Sequence, residues 1–156
     1  PQHLEDQVRY LLDMNLNTVR LEGKVGDERL YELCDQYGVL VLAGWCCCDR
    51  WEMQDEWGGD NRAVALGSLR DQARLLRSHP SALVWLHGSD NTPPPDLERA
   101  YEDVLASVRW PNPSLASANS TVTPVRLTSA TRYSSGRAKL CFAANHSGDS
   151  TSSTAN

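Results

Sequence analysis

The chain has 156 residues, of which 40% are apolar, and its formal net charge at pH 7 is −5. This composition is typical of a globular chain with enough apolar material for one core. The acidic balance and the lack of a basic cluster argue against nucleic acid or an anionic membrane as a partner. No stretch reaches the roughly 18 consecutive apolar residues of a membrane-spanning helix, so we expect no membrane contact.

Helical and extended patterns alternate along most of the chain. Apolar residues recur at helical spacing in some stretches and form short unbroken runs in others. Asp27 and Gly38 stand at positions typical of the N-cap and the C-terminal end of a helix. In chain order, we predict helices over 4–14, 27–37, 62–78 and 97–109, strands over 18–21, 39–43 and 82–86, and the start of a fourth strand over 115–118.

This alternation predicts an α/β fold with a parallel sheet. The predicted strands over 39–43 and 82–86 are apolar throughout, as expected of parallel strands buried on both faces. About four βα units in roughly 120 residues are half of an eight-unit barrel, which takes about 250 residues. We therefore expect a partial (β/α)8 TIM barrel over residues 1–123, cut from a longer chain.

Residues 124–156 differ in composition from the rest of the chain. They are rich in Ser, Thr and Ala, and their hydrophobic periodicity fades. We predict a low-complexity, irregular and disordered C-terminal tail. A flexible linker and sequence foreign to the fold both fit this composition.

The cysteines do not have metal-binding spacing. Their number is odd, there is no C-x-x-C motif, and three of them are adjacent, which does not easily surround one tetrahedral metal ion. The five are Cys34, Cys46, Cys47, Cys48 and Cys141. We predict buried thiols, with no metal site and no cofactor; a metal or redox site is the alternative.

The best candidate for chemistry follows the third predicted strand. Its apolar run ends before Gly88, and an acid, Asp90, comes next. An acid just past the carboxyl end of a buried parallel strand lies where βα barrels and doubly wound sheets keep their catalytic groups. The alternative is that Asp90 merely caps a turn, and position alone does not decide between the two.

Several ordered motifs resemble the catalytic barrel of glycoside hydrolase family 2. They are Asn15-Leu16-Asn17-Thr18-Val19-Arg20, Cys34-Asp35-Gln36-Tyr37-Gly38-Val39-Leu40-Val41, and His79-Pro80-Ser81 leading to Gly88-Ser89-Asp90. Most of the family has Gly-Asn-Glu in place of Gly-Ser-Asp. That variant, with Arg20-Leu21-Glu22-Gly23 and Gly44-Trp45-Cys46-Cys47-Cys48-Asp49, resembles the exo-β-D-glucosaminidase branch, which trims glucosamine from the non-reducing end of chitosan. The resemblance covers about residues 2–123.

The resemblance implies a role for several residues. Glycosidic bonds are cleaved by two carboxyl groups, and Asp90 would be the general acid/base. Glu22 would bind the ammonium group of glucosamine, which would explain a preference for that sugar; the alternative is a salt bridge with Arg20 or Lys24. The other substrate-binding residues are Trp45, Asp49 and Ser89. The substrate would be a chitosan or glucosamine oligosaccharide.

The loop over 45–61 contains three tryptophans and five acids. Large aromatic side chains suit stacking against a sugar ring, but they also close long loops. We expect Trp45 to contact the sugar, and Trp57 to be structural. Trp85, in the third predicted strand, should belong to the core.

Two departures from the family pattern affect these expectations. Cys46 stands where the glucosaminidase pattern has Glu, which leaves a β-mannosidase- or β-galactosidase-like specificity as the alternative. A retaining enzyme also needs a Glu nucleophile about 5 Å from the acid, but after Glu102 the only acids are Asp103 and Asp149. We expect a fragment that is inactive alone and needs the remainder of its barrel; a catalytically inactive truncated barrel is the second interpretation.

The resemblance implies a secreted parent enzyme, although this chain has no signal peptide.

Overall fold

The computed structural model describes residues 2–22, 24–44, 52–89 and 91–118, so the predicted tail over 124–156 lies outside it. The described residues form an alternating series: α1 (Gln2–Asp13), β1 (Thr18–Arg20), α2 (Glu28–Tyr37), β2 (Leu40–Gly44), α3 (Asn61–Leu76), β3 (Ala82–Leu86), α4 (Pro95–Ser107) and β4 (Ser114–Leu115). A 3-10 turn, Gln54–Glu56, lies between β2 and α3. None of the helices described is long and apolar enough to cross a bilayer.

The predicted elements are all present, and most of their limits agree with the structure to within two residues. The helix α4 begins at Pro95 rather than at residue 97. Proline is well tolerated in the first turn, where its missing N–H would have no partner in the helix. The strand β4 is Ser114–Leu115 rather than 115–118.

The limits of α2 have local causes that the sequence predicted. The side chain of Asp27 accepts a hydrogen bond from the backbone N–H of Arg29 at 2.7 Å, which satisfies one of the unpaired donors of the first turn. Gly38 ends the helix in the left-handed conformation, with φ 71°, and its N–H donates to the carbonyl of Cys34. Glycine adopts this conformation without the strain that a Cβ atom would add.

The four strands form one parallel sheet in the order β1-β2-β3-β4, which confirms the predicted parallel sheet. Each helix from α2 to α4 connects two neighbouring strands, and the helices contact one another in chain order. One core cluster contains buried residues from all four helices and from β2 and β3. The helices therefore form a single layer against one face of the sheet.

Both faces of the sheet are apolar, which explains the unbroken apolar runs in the sequence. On the helix side, Trp85 is fully buried and packs edge-on against Trp110, with 5.6 Å between ring centroids, so its predicted core position is confirmed. Leu42 and Leu86 are also buried but do not belong to the helix-side core.

Cys34 lies on the helix side, fully buried. Burial, with a smaller contribution from Asp35, raises the pKa of its thiol to about 11. It is therefore a neutral core thiol, as predicted. The three adjacent cysteines and Cys141 lie outside the described residues.

Asp35 joins α2 to the segment that leads into β3. Its Oδ2 lies 2.6 Å from Nδ1 of His79, and its Oδ1 accepts the backbone N–H of Ser81 at 2.8 Å. Burial alone would raise the pKa of Asp35, but the hydrogen bonds from Ser81 and His79 outweigh it and hold the pKa below its ordinary value of 3.8. The carboxylate therefore holds the amino end of β3, at the edge of the sheet opposite to the carboxyl ends of the strands.

We expect Asp35→Asn to lower the free energy of unfolding at pH 7 by about 1–3 kcal/mol, because the charged acceptor for two part-buried donors is lost. A carboxyl group whose pKa is lowered on folding stabilises the protein above the pKa that it has in the unfolded state. This stability is lost as the pH falls through the pKa of the folded state. The difference between variant and wild type should therefore shrink below about pH 4. Urea unfolding between pH 7 and pH 3 measures it.

Glu32→Gln on the exposed side of the same helix is the matched control for Asp35→Asn. Glu32 forms a surface ion pair with Arg29, and such pairs contribute less than about 1 kcal/mol. A stability difference between Asp35→Asn and wild type that does not change with pH would contradict the role of the charge.

Candidate functional site at the strand ends

The carboxyl ends of all four strands meet at one edge of the sheet, because the strands are parallel. This is the edge where βα folds keep their active sites. Sheet hydrogen bonds continue beyond the strands themselves. The N–H of His87 donates to the carbonyl of Leu115 at 2.9 Å, and the N–H of Ala118 donates to that of Ser89 at 3.0 Å. The segment after β3 is therefore held against the segment after β4.

Ser89 is the best-anchored residue of this edge: it is 3% exposed and each of its polar groups has a partner. Arg20 Nη2 donates to its hydroxyl oxygen at 2.6 Å. Its backbone N–H donates to Glu52 Oε1 at 2.8 Å, and its carbonyl accepts from Ala118. These bonds tie the end of β1, the loop before α3 and the segment after β4 to one residue.

Gly88 has a steric reason to be glycine. A Cβ atom at this position would overlap the carbonyl oxygen of Asn91, and it would also come within 3.4 Å of the carbonyl oxygen of Ala116. Both obstacles are backbone atoms, which cannot move aside as the tip of a side chain does. The glycine of the Gly-Ser-Asp motif therefore allows three chain segments to come together.

Arg20 brings a positive charge to this edge. Its Nη2 binds Ser89, whereas its Nε is buried and has no hydrogen-bond partner among the residues that the structure describes. A buried guanidinium N–H without an acceptor is costly. The position therefore suits an acceptor, such as a carboxylate, from outside the described residues.

The structure describes two of the five predicted site residues. Ser89 is at the centre of the hydrogen bonds, and Glu22 follows β1 at the same edge, where it is partly buried. Trp45, Asp49 and Asp90 lie outside the described residues, so their roles stay predictions. Asp90 follows the anchored Ser89 directly in the sequence.

Two charged residues of this edge were not predicted as site residues. Glu52 shares its loop with four other acids, and no sequence signal separated it from them, since its contact to Ser89 spans 37 positions. Arg20 was considered only as a partner for Glu22. Its presence in two family motifs was the signal that pointed to it.

On the helix side of the sheet, His87 ties β3 and β4 to α4. Its buried ring stacks on Tyr101, with 5.3 Å between centroids, and its Nε2 lies 2.8 Å from Glu102 Oε1. The hydroxyl of Ser114 donates to the same oxygen. Glu102, the last glutamate of the sequence, therefore supports packing of the helix layer.

Ser89→Ala should lower the free energy of unfolding by about 1–3 kcal/mol, because a charged guanidinium loses its acceptor in a buried position. Urea unfolding at pH 7 measures the change. Ser78→Ala is the matched control, since that hydroxyl is exposed and makes only a 3.3 Å hydrogen bond to the carbonyl of Leu75. If the free energy of unfolding falls by the same small amount in both variants, the hydrogen bond from Arg20 does not anchor this edge.

Comparison with known proteins places these features in a family. No family model matches the chain. The chain is 41% identical over 130 residues to the exo-β-D-glucosaminidase of Streptomyces avermitilis, which covers 79% of this chain and 14% of that protein. It is 32% identical over 105 residues to the mannosylglycoprotein endo-β-mannosidase of Lilium longiflorum, with 63% of this chain and 11% of that protein covered.

A solved structure agrees with these sequence similarities. The crystal structure of the Amycolatopsis orientalis exo-chitosanase CsxA is similar over 76% of this chain and 14% of its own, with 32% identity and a TM-score of 0.72. A variant of that protein has also been solved with PNP-β-D-glucosamine. The chain thus spans about a seventh of the length of the Streptomyces and Amycolatopsis proteins. With the motifs that meet at the strand ends, these similarities identify the chain as an exo-β-D-glucosaminidase-like member of glycoside hydrolase family 2.

Proposed function

We propose that this chain is part of a retaining glycoside hydrolase that removes β-linked D-glucosamine from the non-reducing end of chitosan oligosaccharides. The observation that carries the proposal is the anchoring of Ser89, directly before Asp90, by Arg20, Glu52 and Ala118. The names of the Streptomyces and Amycolatopsis relatives support the substrate class.

The four βα units form half of an eight-unit TIM barrel in this proposal. The strands follow one another in chain order and the helices form one layer, which supports a barrel. A doubly wound sheet reverses its strand order and carries helices on both faces. The face with Leu42 and Leu86 would become the barrel interior, and further strands would close it.

Asp90 is the general acid/base of the proposed reaction. A general acid must keep its proton near the working pH, which burial or a neighbouring anion achieves by raising the pKa of the carboxyl group. Arg20 and Glu52 both bind Ser89, the residue directly before Asp90 in the sequence.

The second carboxylate comes from a later strand of the completed barrel. A Glu about 5 Å from the acid attacks the anomeric carbon while the glycosidic oxygen is protonated. Water then cleaves the glycosyl-enzyme bond, with Asp90 taking the proton of the water. The sugar is released with its configuration retained.

Glu22 selects the substrate. It lies at the same edge as Ser89 and is partly buried, so its carboxylate suits the ammonium group of glucosamine. Acetylation or replacement of the amine by a hydroxyl removes the charge pair, which lowers the affinity for such analogues. Trp45 and Asp49 complete the sugar site, with Trp45 stacking on the ring.

In the completed barrel, Glu22→Gln should lower kcat/KM for glucosamine oligosaccharides relative to neutral β-mannosides. The expected loss is about 2–4 kcal/mol, or about 30- to 1,000-fold, because a partly desolvated charge pair is broken. Glu28→Gln on the exposed start of α2 is the control. An unchanged ratio of the two kcat/KM values in Glu22→Gln would contradict the amine-binding role.

The mannosidase-like alternative rests on the similarity to the lily protein. It predicts that wild-type enzyme prefers the β-mannoside and that Glu22→Gln leaves this preference unaltered. The same pair of kinetic measurements therefore separates the two specificities.

The 156-residue chain by itself should release no glucosamine from chitosan oligomers. General acid catalysis alone contributes about 10²–10⁴-fold, whereas enzymes reach at least about 10⁶-fold. Glu102 does not replace the nucleophile, because it binds His87 on the helix side. The assay compares the chain with Asp90→Ala. Release that disappears in that variant would mean that another carboxylate completes the site.

A further inference from the structure

A cleft lies at the carboxyl edge of the sheet, between the loops that follow β2 and β3. Its volume is about 320 Å³. The 3-10 turn and the first turns of α3 and α4 line it, and neither Ser89 nor its partners take part. The lining residues that matter here are Asp55, Trp57, Gly58, Gly59, Arg62 and Asp96.

Trp57 and the two glycines line this cleft side by side. The indole of Trp57 is partly buried and packs against the core, which holds it in place. Apart from the chain neighbours of each glycine, Cβ atoms on Gly58 and Gly59 would meet no atom of the described residues within 4 Å. Bare backbone beside a fixed aromatic ring leaves room for a flat ligand. Trp57 therefore packs against the core, as its predicted structural role requires, and also lines the cleft.

The described residues that line the cleft include two carboxylates, Asp55 and Asp96, and one guanidinium, Arg62. Arg62 Nη1 donates to Asp96 Oδ2 at 2.6 Å, and Arg62 Nη2 donates to the carbonyl of Asp96 at 3.1 Å, which orients both side chains. The bond to Arg62 holds the pKa of Asp96 below its ordinary value. Asp55 is exposed. The excess negative charge favours a cationic ligand.

We propose that this cleft is an outer saccharide subsite, which binds one glucosamine unit of a chitosan chain through stacking on Trp57 and ion pairing with Asp55 and Asp96. The inference rests on the proposed function and deepens it. A volume of about 320 Å³ lies at the lower end of the range for ligand pockets, which suits a single sugar unit. The loops that line the cleft follow β2 and β3 and lie at the same edge of the sheet as Ser89, so the subsite would bind a further unit of the oligosaccharide.

Isothermal titration calorimetry of the full chain with a chitosan oligomer tests the subsite. Trp57→Ala should raise Kd about three- to tenfold, as expected for one lost aromatic contact. Asp55→Asn should raise it about two- to fivefold at low salt and less at high salt, as expected for one exposed ion pair. Asp71→Asn, an exposed carboxylate on α3 outside the cleft, should leave Kd unchanged.

Two additional arms keep the test decisive. Trp57 packs on the core, so Trp57→Phe keeps an aromatic ring there and should lose less affinity than Trp57→Ala. A fully acetylated oligomer lacks the ammonium groups, so it should bind wild type and Asp55→Asn with equal affinity. A Kd for that neutral oligomer that also rises in Asp55→Asn would overturn the ion-pairing part of the subsite.

The outcomes separate the subsite from the proposed function. Wild-type Kd values in Trp57→Ala and Asp55→Asn, together with a weaker Kd in Glu22→Gln, would overturn the subsite alone. Failure of the wild-type chain to bind any glucosamine oligomer would overturn the subsite, whereas the proposed function is tested separately by the Glu22→Gln kinetics in the completed barrel.

Discussion

The hydrogen bond from Arg20 to Ser89 joins the ends of β1 and β3, two strands that are separated by β2 in the sheet. A charged donor in a buried position makes a stronger bond than a neutral one on the surface. Losing it would leave the guanidinium without its Ser89 acceptor, and the buried Nε has no hydrogen-bond partner among the described residues. The geometry of the segment before Asp90 therefore depends on this contact.

The two edges of the sheet have different tasks. At the amino end of β3, the carboxylate of Asp35 binds His79 and Ser81 and fastens a helix to the sheet. At the carboxyl end, Arg20 and Glu52 bind Ser89. In βα barrels the first edge serves stability and the second carries chemistry. The family motifs thus include residues of both kinds, and a motif match alone does not tell them apart.

The carboxyl edge holds more than the proposed catalytic position. Glu22 follows β1 at this edge, and the cleft around Trp57 opens between the neighbouring loops. Glu22 and the cleft both provide carboxylates, which suit the cationic sugar chain proposed as substrate.

The sequence by itself determined the helices, the strands and the parallel sheet. Apolar periodicity, the cap at Asp27 and the left-handed Gly38 act between residues that are close in the chain, so a linear pattern contains them. Parallel strands bring their carboxyl ends to one edge, so the sequence also placed Glu22 and Ser89 at the same edge of the sheet.

Only the tertiary structure decided which charged groups meet there. Arg20 and Ser89 are 69 positions apart, and Asp35 and His79 are 44 apart. The loop before α3 offers several chemically equivalent acids, and only the path of the chain in space selects Glu52 for Ser89. A hydrogen bond depends on a separation of about 3 Å in space, and no local pattern encodes that separation for residues far apart in the chain.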